Sequence, residues 1–183
     1  TGFDPIPDRI NLKLDPGLAF GTGTHPTTRL CLEWLDSLAC NNQLQGKTVI
    51  DYGCGSGILA IGAALLGAKQ VICVDNDPQA LIATQDNAQR NDVESVLSMY
   101  LPQDLPADIQ AADIMVANIL ANPLIELSGK IGNLTAASGH IGLSGILSDQ
   151  ADSVVDAYQS AFEHLTVYKC DDWVRVDGMK RSS

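Results

Sequence analysis

Basic residues are scarce in this chain. Eleven Lys and Arg stand against 22 Asp and Glu, a net charge of −11 over 183 residues. That shortage argues against a nucleic-acid surface, which would need a basic patch. It leaves room for a basic protein partner, drawn in by complementary charge. Paired cysteines are missing as well. The five cysteines (Cys31, Cys40, Cys54, Cys73 and Cys170) are odd in number, widely spread and contain no C-x-x-C. Such a pattern excludes a disulfide frame or zinc site and predicts reduced core thiols in a cytoplasmic protein. Long apolar runs are lacking too. The longest, Ile58 to Ala68, holds two glycines and is too short for a membrane span. The opening residues show no signal-peptide pattern. There is no internal repeat and no low-complexity segment. The length fits one domain with a sizeable core.

One stretch organises what is present: Thr48-Val-Ile-Asp51-Tyr-Gly53-Cys-Gly55-Ser-Gly57-Ile-Leu-Ala60. A β-branched run meets an acid and three alternate glycines, then continues as an apolar helix. This is the strand, tight turn and helix with which an α/β sheet builds a nucleoside pocket. Spacing separates two cofactor classes. The dinucleotide fingerprint is G-x-G-x-x-G, and its third glycine would fall on Ile58. Asp51 would face a pyrophosphate badly and suits a cationic amine better. The run D-x-G-x-G-x-G resembles the first motif of class I S-adenosylmethionine-dependent methyltransferases. A glycine-rich corner without a ligand is the alternative reading of this turn alone.

Thr1 to Asp15, with Pro5 and Pro7, reads as an arm or linker. With no initiator Met, a further segment is expected upstream. Residues 16–183 are expected to form the domain. Pro16 to Thr28 is a glycine- and threonine-rich loop entering a helix at Pro26, with an apolar face down to about Cys40. Asn41 to Gly46 is a turn. Strands are then expected at Thr48–Asp51, Gln70–Val74, near Val96–Tyr100, at Asp113–Asn118 and at His140–Leu143. Helices are expected over Ile58–Leu66, Pro78 to about Arg90 with Asp77 as N-cap, and Asn122 to about Leu134. Ala151, Val154, Val155, Tyr158 and Phe162 form a helical stripe. Leu165–Cys170 and Trp173–Met179 pair as a closing hairpin across Asp171–Asp172. The expected fold is α/β and Rossmann-like. Its seven-stranded sheet is mostly parallel, with helices on both faces and a C-terminal antiparallel hairpin.

Ligands of such sheets sit outside the carboxyl ends of the strands. Three strand-end residues therefore matter. Asp51 leads the glycine turn. Asp75 ends the second strand and can accept from both ribose hydroxyls of a nucleoside; a turn or N-cap role is its alternative, and Asp77 fills that better. Asn118, in Val-Ala-Asn118-Ile-Leu-Ala121, can accept from an attacking amine and aim its lone pair, or can serve as a loop residue bonding its own backbone. Methyltransferases of planar amines resemble one another in an Asn/Asp-Pro-Pro-aromatic motif, whose aromatic stacks on the amine's plane. Ile-Leu-Ala offers no aromatic here, which points to an aliphatic amine. In the Phe20–Thr28 loop, hydroxyls and the helix N-terminus can hold a cofactor carboxylate, and Phe20 can cover it; a surface loop is the alternative. His25 reads as a turn residue, and Cys54 as a small buried filler.

Four runs together carry a wider resemblance: Leu14 to Thr28, Val49 to Ile61, Asp75 to Pro78 and Val116 to Ala121. Over nearly all of residues 8–180 the chain resembles the ribosomal protein L-eleven (L11) methyltransferase family, PrmA. The resemblance implies an S-adenosyl-L-methionine-dependent protein methyltransferase, with cofactor contacts at Thr28, Gly53, Asp75 and Asn118 and Asn118 as the catalytic residue. No metal site is expected. It also implies that the substrate is a large-subunit ribosomal protein, methylated on lysine ε-amines and the N-terminal α-amine. An N-terminal docking domain for that substrate is expected outside this chain. Other readings are a methyltransferase for another amine, a nucleoside-binding module without catalysis, and an NAD-dependent oxidoreductase, which Ile58 opposes.

Overall fold

A computed structural model of the chain describes residues 10–15 and 25–182. The elements are α1 (Pro26–Cys40), β1 (Thr48–Tyr52), α2 (Ile58–Leu65), β2 (Gln70–Val74), α3 (Pro78–Arg90), β3 (Leu97–Tyr100), β4 (Ala112–Asn118), α4 (Ala121–Glu126), α5 (Ser128–Leu134), β5 (Thr135–Leu147), α6 (Ala151–Tyr158), β6 (Phe162–Cys170) and β7 (Trp173–Lys180). One seven-stranded sheet runs β3-β2-β1-β4-β5-β7-β6. The pairs among β1 to β5 are parallel. β7 alone runs the other way, inserted antiparallel between β5 and β6.

The central strands are apolar at nearly every position because helices cover both faces of the sheet. Side chains still alternate. Val49, Val71, Cys73, Ile114 and Val116 face a core shared with Trp34 and Leu35 of α1 and Ile61 of α2. Ile50, Ile72, Val74, Met115 and Ile141 face a second core with Leu124, Ile131, Val154 and Tyr158 of α4 to α6. Gly142 faces α1, where a Cβ would fall 2.6 Å from the Trp34 ring. Helix starts follow their capping residues. Asp77 accepts from the Gln79 N–H at 2.9 Å ahead of Pro78, and His25 caps α1 ahead of Pro26.

Four details differ from the sequence expectation. β5 runs over Thr135–Leu147 rather than His140–Leu143, because it pairs with strands on both sides and absorbs a register shift against each. Helix α6 ends at Tyr158, and Phe162 opens β6; it continued the helical period because both residues face the same core. The segment after β4 is two helices broken at Leu127, and its N-cap is Leu120. Finally, Cys40 is exposed and Cys170 half-buried, so only Cys31, Cys54 and Cys73 are core thiols; all five are free. Among the described residues no helix is long and apolar enough to cross a membrane.

Candidate active site

Strand order reverses between β1 and β4, so their carboxyl ends border the crevice where α/β sheets bind ligands. The glycine turn rises from β1 on one side. Gly53, Gly55 and Gly57 all have positive φ (84°, 55° and 81°), a region that disfavours side chains. The Gly53 and Cys54 N–H groups donate to the Val74 carbonyl at 2.6 and 3.1 Å, so the turn is pinned to the end of β2. Space also demands glycine. A Cβ on Gly53 would collide with the Ile119 side chain, and one on Gly57 would come within 2.8 Å of Thr84.

Asp51 lies beneath this turn, 1% exposed. Its Oδ2 accepts from the Ala60 N–H at 3.0 Å, in the first turn of α2. Its Oδ1 is buried without a partner among the described residues. Burial pushes the carboxyl up to about 7; the Ala60 N–H works against this and the charge of Asp75 adds to it. A buried carboxylate oxygen with an open bond is a ready acceptor for a cation.

Asp75, half-buried at the end of β2, accepts from the Gly55 N–H at 2.9 Å through Oδ2. Its Oδ1 accepts from the Asp77 N–H at 3.0 Å. The acid therefore shapes the turn, and each oxygen keeps a second lone pair for a hydroxyl. Across the crevice, the Asn118 Nδ2 donates to Thr28 Oγ1 at 3.4 Å. That bond orients the amide and leaves Oδ1 as the end that can accept from an amine. Thr28 is 2% exposed in the first turn of α1. Its hydroxyl, accepting from Asn118, can turn its own hydrogen into the crevice.

Of the four residues expected from sequence to hold a cofactor, Gly53, Asp75 and Asn118 thus lie at or just past the carboxyl ends of β1, β2 and β4, and Thr28 lies in the first turn of α1, bonded to Asn118. The loop expectation fares differently. Phe20 to Thr24 lie outside the described residues. His25 is the N-cap of α1: its Nδ1 lies 2.8 Å from Thr27 Oγ1 and accepts from the Thr27 N–H, while the Thr28 and Arg29 N–H groups donate to its carbonyl. The start of α1 is therefore largely satisfied from within, and Thr28 Oγ1 is the group it offers.

Sequence reasoning missed three neighbours. Leu120, two residues past Asn118, is 68% exposed. Trp173 opens β7 opposite Leu147 at the carboxyl end of β5 and meets the His25 ring edge-on, with centroids 4.8 Å apart. Gly145 (φ 85°) sits in the β5 irregularity, where any Cβ would strike the Ile119 carbonyl. An isolated glycine within a strand was the one available signal.

Strand order, reversed β7 and the glycine turn together define the fold of the class I S-adenosylmethionine-dependent methyltransferases. Similarity to known proteins narrows this. The chain belongs to the ribosomal protein L11 methyltransferase (PrmA) family, whose model matches residues 3–181. It is 56% identical over 179 residues to the ribosomal protein L11 methyltransferase of Pectobacterium carotovorum, covering 98% of this chain and 59% of that protein. The chain thus spans about three-fifths of the length of the curated relatives it matches. The crystal structure of the ribosomal protein L11 methylase of Lactobacillus delbrueckii superposes with a TM-score of 0.87 at 29% identity, over 100% of this chain and 92% of that one. A S-adenosylmethionine-dependent O-methyltransferase from Thermotoga maritima shares the fold at 13% identity, with a TM-score of 0.69 over 82% of this chain and 66% of that one.

Proposed function

We propose that this chain is the methyl-transfer domain of a protein methyltransferase. It acts on lysine ε-amines and the N-terminal α-amine of ribosomal protein L11, in the cytoplasm. The observation that carries this reading is the Asn118 amide, oriented by Thr28 at the mouth of a crevice whose other wall holds Asp51 and Asp75. The residues fit S-adenosylmethionine. Asp51, with its unpartnered Oδ1, would hold the amino group of the methionine part, Asp75 would accept from the ribose hydroxyls, and the tight turn at Gly53 and Gly55 would admit the rest. When bound, this cofactor supplies a methyl group already activated on a sulfonium.

The protein's part is then positioning and desolvation. The substrate amine must be neutral, although a free lysine has a pKa of about 10.4. Leu120 and Trp173 offer an apolar approach that lowers it by stripping water. Asn118 Oδ1 accepts one N–H and so aims the lone pair across the crevice. His25 Nδ1 is engaged with Thr27, and the proton released by the amine passes to water.

A lysine side chain has few distinguishing atoms, so selection of one protein needs surface beyond the crevice. A stable protein contact takes on the order of 800 Å² per partner. We assign that docking to a part of the longer relatives that this chain does not span. Calorimetric titration with S-adenosylmethionine and with NAD, then mass spectrometry of L11 after incubation, tests the proposal. Saturable S-adenosylmethionine binding and added methyl masses are expected. NAD binding in its place would overturn it.

A further inference from the structure

Helix α3 and its C-cap carry a polar stripe at Thr84, Asn87 and the capping Asn91, positions spaced along one helix face. Thr84 and Asn87 are 0% and 2% exposed. Buried polar groups are costly unless bonded, and these bonds run in two directions. Towards the glycine turn, Thr84 Oγ1 donates to the Gly55 carbonyl at 3.1 Å, and Asn87 Nδ2 donates to the Ser56 carbonyl at 2.9 Å. Towards the N-terminal segment, Asn87 Oδ1 accepts from the Asp15 N–H at 3.1 Å. Asn91 then clasps Lys13 as a neighbouring strand would, accepting from its N–H at 2.8 Å and donating to its carbonyl at 2.7 Å. Arg90 pairs with Asp15 at 2.9 Å on the outside, and Leu12 and Leu14 pack on the core beneath.

Asn87 is therefore the shared member, with one end of its amide on the cofactor turn and the other on the segment before it. We propose that Asn87 is a positioning residue for the glycine turn, and that the Asn91–Lys13 clasp couples the placement of residues 12–15 to cofactor affinity. The coupling rests on the reading of the glycine turn as an S-adenosylmethionine site. It is reciprocal: whatever seats the segment tightens the cofactor, and the cofactor tightens the clasp. A displacement of the chain before Asp15 thereby reaches the methyl donor without touching the crevice.

The test uses the chain as it stands, with S-adenosylhomocysteine as probe. Asn91→Ala touches neither the turn nor the crevice, although it removes the Nδ2 bond to the Asn87 carbonyl at 2.8 Å along with the clasp, and it is expected to weaken binding about fivefold or more. Asn91→Asp keeps the bond from the Lys13 N–H and should fall between wild type and Asn91→Ala. In an Asn87→Ala background the Asn91 effect should shrink, since the link is already cut. Hydrogen exchange separates positioning from stability: Asn91→Ala should expose the Gly55–Gly57 amides selectively, whereas a merely structural loss lowers protection throughout. Unchanged affinity in Asn91→Ala, or full additivity with Asn87→Ala, overturns the coupling alone. Failure of the wild-type chain to bind the probe overturns the cofactor reading along with it.

Discussion

The Ile119 carbonyl lies so close to Gly145 that no Cβ fits between β5 and the loop after β4. The same residue's side chain fills the space where a Cβ on Gly53 would go. Ile119 is thus wedged between two glycines, and Asn118 beside it inherits its position from both. Gly145→Ala should therefore act at a distance. A left-handed backbone with a Cβ costs about 1–2 kcal/mol, and relief of the collision must push Asn118. We expect a lower urea midpoint and a loss of methyl transfer larger than the loss of cofactor affinity. Unchanged turnover would show that the wedge does not place Asn118.

Asp51 makes the cofactor-free chain sensitive to pH. Its folded value is raised from 3.8 to about 7 by burial. Below the unfolded value it is protonated in both states and costs nothing. As pH rises from about 4 to 7 the unfolded chain ionises first, so stability declines, by at most about 1.4 kcal/mol per pH unit. Asp51→Asn should flatten this part of the profile in denaturant melts between pH 4 and 8. Equal slopes for both proteins would show that the carboxyl titrates normally.

Asp75→Ala should weaken S-adenosylhomocysteine binding about ten- to a hundredfold, from a lost charge-assisted bond of roughly 1.5–3 kcal/mol. Because Asp75 also holds the Gly55 and Asp77 N–H groups, the variant's turn loosens as well. Circular dichroism should retain the sheet signal. Unchanged affinity removes Asp75 from the site.

Asn118→Ala, made in a full-length relative, should lower methyl transfer more than cofactor affinity. Thr28→Val, which removes the acceptor that orients the amide, should move the same two measurements in the same direction and by less. Turnover unaffected in both would leave the pair as loop structure only.

Comparing this chain with a full-length relative on L11 at moderate salt probes docking. Tethering raises local substrate concentration to about millimolar, whereas the acidic surface alone gives weak, screened attraction. Slower turnover by this chain at low substrate concentration is expected. Equal rates would mean that the domain recognises its own substrate.

Much of this was legible in the chain itself. Period-two and period-3.6 patterns, the Asp77-Pro78 cap and the alternate glycines are local, set within a turn or two of backbone. They fixed the order of elements, and with it the placement of Asp51, Asp75 and Asn118 at strand ends. Tertiary structure decided the rest. Gly145 meets Ile119 only because β4 and β5 pair in one register. Asn87 reaches both Ser56 and Asp15 only because α3 packs between them. Trp173 reaches His25 only because β7 reverses and brings its first residue to the carboxyl end of β5. A periodic pattern shows which way a side chain points; what waits there belongs to a distant part of the chain, and sheet order brings it in.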